Sequence, residues 1–419
     1  MSGFLPLVVV ILFLIIVFNV INKRFFRLSY EIALMLFATV TGAVVLGVKQ
    51  YVYDFPLGNV IDELHPLNIE SFLMNGALCF MLFAGSCHLR VQDFKREIRA
   101  VGVYSFVATF LGAVFYGVAF YLVIKTIGLS LSFSECLMLG SIISPTDPIA
   151  ATSILNKFGL PENTGFLIEA ESLLNDGVGV AVFVCFSGMV IADASPDTSV
   201  FDILLHQLAG ALVIGAAVSF VCLNLLSKQD DFKQKIYISL LCVSLSYLLC
   251  KYFNCSGPIA CVVCGVMFSD WRSRQSNEVQ SSFFSFDICW EAIDNFLNSV
   301  LYVIMGLSVL LIMKMDAVVV ICVATIVGNL FGRGGSVYIC SFFLKEIPDG
   351  FTRNGFTALL TWGGLRGGLC IALAMSTESF VSDEHFQYIM GATYAIVFFT
   401  TVVQGVSLKK VYNRLKRAQ

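Results

Sequence analysis

Two clusters of polar residues interrupt an otherwise apolar sequence. One is Ser144-Pro145-Thr146-Asp147-Pro148, and the other is Glu171-Ser172-Leu173-Leu174-Asn175-Asp176-Gly177. Proline has no N–H for the carbonyl four residues back, so Pro145 and Pro148 release the carbonyls of Ser141 and Ser144. Freed carbonyls beside a carboxylate make a set of oxygens able to hold a cation. Ser172, Asn175 and Asp176 are spaced i, i+3 and i+4, so on a helix they lie near one another and add hydroxyl, amide and carboxylate oxygens. Neither thiolate nor imidazole accompanies them, so the donor set is that of a hard cation.

The elements that position these groups are membrane helices. Of 419 residues, 58% are hydrophobic and 13% charged, and the mean hydropathy of +0.84 is too high for a soluble domain. Apolar stretches, most of them about 18 to 30 residues long, recur along the chain, and a helix of that length crosses a hydrocarbon core of roughly 30 Å. Thirteen are counted, at about 4–21, 30–48, 71–89, 98–125, 131–155, 164–191, 201–227, 233–252, 257–270, 284–313, 316–344, 353–377 and 386–411. Lys and Arg test the count, because cytoplasmic loops are enriched in them. Twenty of the 26 fall on one set of alternate loops and ends, against four (Lys49, Lys125, Lys251 and Lys314) on the other. This places the N-terminus outside and the basic stub at 412–419 in the cytoplasm. The opposite loops are acidic, with Asp54, Asp62, Glu63, Asp193 and Asp197 among them. The first segment lacks a basic start and a cleavage site, so it reads as a retained helix rather than a signal peptide.

No loop is long enough to form a separate domain, the longest being about 49–70, and no glycine-rich phosphate loop follows a strand pattern. The chain therefore reads as one transmembrane domain over 1–419. No cofactor and no nucleic acid is expected. Fourteen cysteines sit mostly in apolar segments, and the Cys261/Cys264 spacing has no second pair, so packing explains it.

The fifth and twelfth segments are interrupted, at Ser144–Pro148 and at Thr361-Trp362-Gly363-Gly364-Leu365-Arg366-Gly367-Gly368. Segments seven apart run in opposite directions. Two inverted repeats of six helices follow, a first over about 4–191 and a second over about 233–411, joined by a connector at about 201–227. Paired interruptions in two halves of this kind point to a transporter's binding site. Unwound backbone at membrane depth is tolerated only inside protein or beside a watery cavity. Asp176 lies about 18 Å along the sixth segment, near the bilayer midplane, and Asp147 reaches a similar depth. A carboxylate buried there without a partner takes up a proton or a cation rather than stay charged and alone. Proton and cation are then alternatives at Asp176, and exposing it first to one side and then to the other exchanges them.

Glu171 needs a partner of its own. Arg333 in the eleventh segment is the preferred candidate and Arg366 beside the broken twelfth is the second, since an intramembrane Arg must find a carboxylate or carbonyls. Asp287, Glu291 and Asp294, followed by Asn298, form an acidic face at the start of the tenth segment, which either draws cations to the cytoplasmic mouth or is simply solvated. None of His65, His206 and His385 is expected to be a ligand, and His88 closes the third segment near the inner surface.

Together, the 144–148, 171–177 and 363–367 motifs resemble the monovalent cation:proton antiporter family that includes the NhaP-type Na⁺/H⁺ antiporters and the sodium/proton exchangers. Trp290-Glu291, Asn298-Ser299-Val300-Leu301 and Arg333-Gly334-Gly335-Ser336-Val337-Tyr338 are similar to the family too. The resemblance covers nearly the whole chain. It implies that Asp176 is the main ion-carrying carboxylate, with Asp147, the Thr146 carbonyl, Ser172 and Asn175 around it. It also implies an elevator-like movement of a core domain and a homodimer. Family members with Asn before the key Asp, as Asn175 stands here, are usually electroneutral. Two departures are that Met81–His88 carries no acidic residue where some members have one on the third helix, and that the long regulatory tail of animal exchangers is missing.

The reading is a secondary-active antiporter, not an enzyme, exchanging Na⁺ or Li⁺ for H⁺ in a plasma membrane or bacterial inner membrane. K⁺/H⁺ exchange is the alternative within transport. An intramembrane aspartyl protease using Asp147 and Asp176 is the remote one.

Overall fold

The computed structural model describes residues 4–51, 76–156, 158–191, 200–229, 231–276, 283–311, 318–344, 347 and 351–417. Among them there are helices and no strand, as lipid requires of any spanning segment that is not a closed barrel. The order is α1 (Phe4–Ile21), α2 (Tyr30–Tyr51), α3 (Leu78–His88), α4 (Val91–Ile127), α5 (Phe133–Ile143), α6 (Pro148–Asn156), α7 (Glu162–Ile191) and α8 (Val200–Leu226). It continues with α9 (Phe232–Tyr252), α10 (Gly257–Ser273), α11 (Phe284–Leu307), α12 (Val318–Ser341), α13 (Arg353–Gly363), α14 (Gly368–Ser376) and α15 (Asp383–Lys416).

Nine of the described helices are long and apolar enough to cross a membrane, and α13 with α14, bent by 58° at their break, make a tenth span. The other segments read from the sequence are shorter here for separate reasons. The third begins, at 71, outside the described residues. The fifth is divided into α5 and α6, and the ninth has 17 residues. Residues 52–70 of the long loop and the acidic residues named at 54–63 and 193–197 also lie outside them, while 49–51 end α2. The fourth segment starts earlier than its hydropathy indicates, because the charged turn carrying Asp93, Lys95, Arg96 and Arg99 is already helical.

Local chemistry explains where the broken helices start and stop. Ser132 caps α5: its Oγ accepts from the Glu135 N–H at 3.2 Å, and Glu135 Oε2 accepts from the Ser132 N–H at 2.7 Å. Pro145 and Pro148 end the ladder, and α6 restarts at Pro148, where a missing N–H costs nothing. Thr352 caps α13 at 3.1 Å from the Gly355 N–H. The two breaks lie against each other, the Asp147 N–H donating to the Leu365 carbonyl at 2.8 Å.

Around this crossing, α5 packs on α4 and α7, and α12 packs on α4, α13 and α15. A second grouping, α3 with α8 to α11, closes around Trp290, Phe83, Phe286 and Phe268, with the Trp290 indole N–H bonded to Ser239 Oγ at 3.0 Å. The basic turns share one end of the bundle: Lys95 reaches Asp270 at 2.6 Å, Arg96 reaches Asn163 at 2.6 Å, and Arg90 reaches Glu162 at 3.2 Å. At the other end His385 Nδ1 sits 2.7 Å from Glu135 Oε1, joining α15 to α5.

Candidate functional site

Where the two breaks cross, a cavity of about 710 Å³ runs from His88, Arg90 and Glu162 at the basic end to Asp147, Asp176 and Gly367. Asp147 is held from three sides. Its backbone is tied to Leu365, its Oδ2 accepts from the Tyr302 hydroxyl at 2.6 Å, and Gly367 lies against it. A Cβ at Gly367 would stand 2.9 Å from Asp147 Cβ and 3.0 Å from its Oδ2, so only glycine lets α14 come this close. Asp176 enters the same cavity from α7. Two carboxylates facing one space inside a low-dielectric bundle repel, and a cation or a proton between them relieves the repulsion.

Thr146, Ser172 and Asn175 stand behind this wall. All three are buried, and none lines the cavity. Asn175 Nδ2 donates to Thr146 Oγ1 at 2.8 Å and to Glu171 Oε1 at 3.2 Å, while its Oδ1 accepts from the Thr146 N–H at 3.2 Å. The hydroxyls of Thr146 and Ser172 are 3.0 Å apart. In this conformation both ends of the Asn175 amide brace the break to α7.

Glu171 pairs with Arg333, whose Nη2 lies 2.8 Å from Oε1 and 3.1 Å from Oε2. Both are almost fully buried, at 1% and 4% exposure. Arg366, the other candidate for that pairing, is used elsewhere. Its Nη1 donates to the carbonyls of Ser144 and Pro145, and its Nη2 donates to Asn329 Oδ1 at 2.7 Å. The carbonyl freed at Ser144 thus has a donor of its own in this conformation. A planar guanidinium with five fixed donors suits two adjacent carbonyls, and it has taken them.

The acidic face on α11 splits. Asp287 pairs with Arg272 and lies 3.5 Å from His88 Nε2, Glu291 is exposed, and only Asp294 lines the cavity, together with Asn298. Glu169 lines it as well. Tyr302, Asn329 and Thr400, which bonds the Arg366 N–H at 3.1 Å, are site residues that sequence reasoning missed. For Tyr302 a signal existed: it is four residues beyond Asn298 and eight beyond Asp294, on the same stripe of α11.

Comparison with known proteins agrees with this architecture. The chain is 28% identical over 423 residues to the Na(+)/H(+) antiporter NhaP of Pseudomonas aeruginosa, covering 99% of this chain and 98% of that protein. It is 29% identical over 334 residues to the Na(+)/H(+) antiporter NhaH of Halobacillus aidingensis, covering 77% of each. The structure of the sodium proton antiporter MjNhaP1 from Methanocaldococcus jannaschii shares the fold, with a TM-score of 0.74 at 15% identity over 99% of this chain and 100% of that one. The profile described as "Sodium/hydrogen exchanger, transmembrane" matches residues 8–414, and the chain therefore belongs to that family, a family of transporters and not of enzymes.

Proposed function

We propose that this protein exchanges Na⁺ or Li⁺ for H⁺ across a plasma membrane or bacterial inner membrane, one for one, with both ions competing for Asp176. The observation that carries this reading is that Asp176 and Asp147 face one cavity while Glu171 is already neutralised by Arg333. Asp176 is thus left to hold either a proton or a cation. The names of the relatives support Na⁺ as the cation. With Asn175 rather than a second carboxylate beside Asp176, one group carries one charge in each direction, and exchange is electroneutral.

In this reading the cavity is the inward-facing state, since it opens at the end rich in Lys and Arg. The thirteen helices form two inverted repeats with the N-terminus outside, and the crossed breaks of α5/α6 and α13/α14 move together past the grouping around Trp290. The protein works as a homodimer. Asp147 forms the opposite wall of the site, and Thr146, Ser172 and Asn175 hold the break in register and complete the ion's shell when it closes. Glu171, Arg333 and Arg366 keep the moving part intact.

The test is a proteoliposome assay with a trapped pH dye, adding Na⁺, Li⁺ or K⁺ outside. Na⁺ and Li⁺ are expected to drive a pH change that Asp176→Asn abolishes, with no current on a solid-supported bilayer. No response in the wild type, or full activity in Asp176→Asn, would overturn the assignment.

A further inference from the structure

Two residues of α11 in the cavity wall have no part in the scheme above. Asp294 lines the cavity between its basic mouth and Asp176. Asn298, one turn deeper and 6% exposed, lines it too. Asn298 Nδ2 donates to the Asp294 carbonyl at 3.0 Å, so its orientation is decided: the opposite rotamer would bring two oxygens together. This leaves Asn298 Oδ1 buried with no hydrogen-bond partner among the described residues. A buried amide oxygen without a donor costs on the order of 1–3 kcal/mol, and a cation held in the adjoining cavity would relieve that cost once the side chain turns to meet it.

The next residue on the same stripe is Tyr302, which bonds Asp147. Asp294, Asn298 and Tyr302 follow at i, i+4 and i+8, rising about 6 Å per step, so the stripe leads from the mouth to the wall of the main site. No carboxylate comes from α3, whose lining residues include Leu78, Met81, Leu82 and Gly85.

We propose that Asp294 and Asn298 form a second, shallower subsite for the transported monovalent cation, in which a carboxylate and an amide oxygen receive the ion as it sheds part of its water, before it passes to Asp176. Hard oxygen donors of this kind suit Na⁺ or Li⁺. The inference rests on the antiport reading and is tested separately from it.

The experiment measures dye-reported exchange against Na⁺ concentration, with choline replacing Na⁺ at constant ionic strength, in wild type, Asp294→Asn, Asn298→Ala and the double variant. Asp294→Asn is expected to raise the half-saturating Na⁺ concentration about tenfold, with a much smaller change in maximal rate, and Asn298→Ala to raise it by about threefold. The double variant should resemble Asp294→Asn, because both residues serve one site. Half-saturating concentrations unchanged in both single variants would overturn the subsite, as would a fall in maximal rate alone. A second measurement, stabilisation of the detergent-solubilised protein by Na⁺ against choline, does not need transport. There, Asp294→Asn is expected to shift the Na⁺ dependence to higher concentration, and an unshifted curve would overturn the subsite whatever the transport assay shows. Failure of the antiport reading looks different: the wild type then shows no Na⁺-driven pH change at all.

Discussion

Removing the carboxylate of Glu171 is expected to destabilise this protein far more than removing that of Glu169, two residues away. Glu171 and Arg333 are 1% and 4% exposed, and Arg333 Nη2 lies within 3.1 Å of both carboxylate oxygens. Taking one partner from a buried pair leaves the other charge in the bundle uncompensated, at a cost of about 3–5 kcal/mol. Asn175 Nδ2 also loses one acceptor, which adds about 1 kcal/mol. In a chain of this size that corresponds to a melting temperature lower by roughly 5–10 °C. Glu169 lines the water-accessible cavity, so Glu169→Gln is expected to change stability by less than about 1 kcal/mol. All fourteen cysteines are free and all but Cys289 and Cys322 are buried, so a thiol-reactive fluorophore reports unfolding directly. Glu171→Gln keeps the volume and removes the charge, which separates electrostatics from packing. Replacing both Glu171 and Arg333 by Leu should recover part of the loss, since no orphan charge remains. Equal melting temperatures for Glu171→Gln and Glu169→Gln would refute the reasoning, as would a double Leu variant less stable than either single one.

Three further outcomes follow from the same geometry. Tyr302→Phe removes the 2.6 Å bond to Asp147, a hydrogen bond to a charged group worth about 1.5–3 kcal/mol, and is expected to shift half-saturating Na⁺ or maximal rate at least several-fold while the protein still purifies as a monodisperse species. Gly367→Ala should abolish exchange in the dye assay, because the added methyl group meets Asp147 Cβ at 2.9 Å; wild-type rates in that variant would mean that the breaks are not packed this closely. Arg366→Lys should lower the melting temperature by several degrees, since one ammonium cannot span the two carbonyls and Asn329, whereas a melting temperature equal to wild type would show that the planar fork is dispensable.

The legible part of this protein was local. Pro145 and Pro148 end one helix and the 363–368 glycines another, whatever surrounds them, because the missing N–H and the backbone freedom belong to those residues. Charge in the loops and apolar length announced a membrane bundle for similar reasons. Arg333 lies against Glu171, but no pattern in the sequence separates it from Arg366. Each arginine has to satisfy its donors, and which carbonyls and carboxylates lie within reach is decided by packing between residues 162 to 222 positions apart.

Asn175 and Asp176 show the limit most clearly. Their spacing from Ser172 marked both as polar neighbours on one helix, and that much the sequence determined by itself. Consecutive residues on a helix point about 100° apart, however, so their neighbours differ. Only the tertiary structure decided that Asn175 turns toward the broken helix and spends its amide bracing it, while Asp176 turns into the cavity shared with Asp147. The chemistry of each side chain was written in the chain. The partner it meets was set by how α7 is rotated against α5, α6 and α11, a property of packing that no local pattern carries.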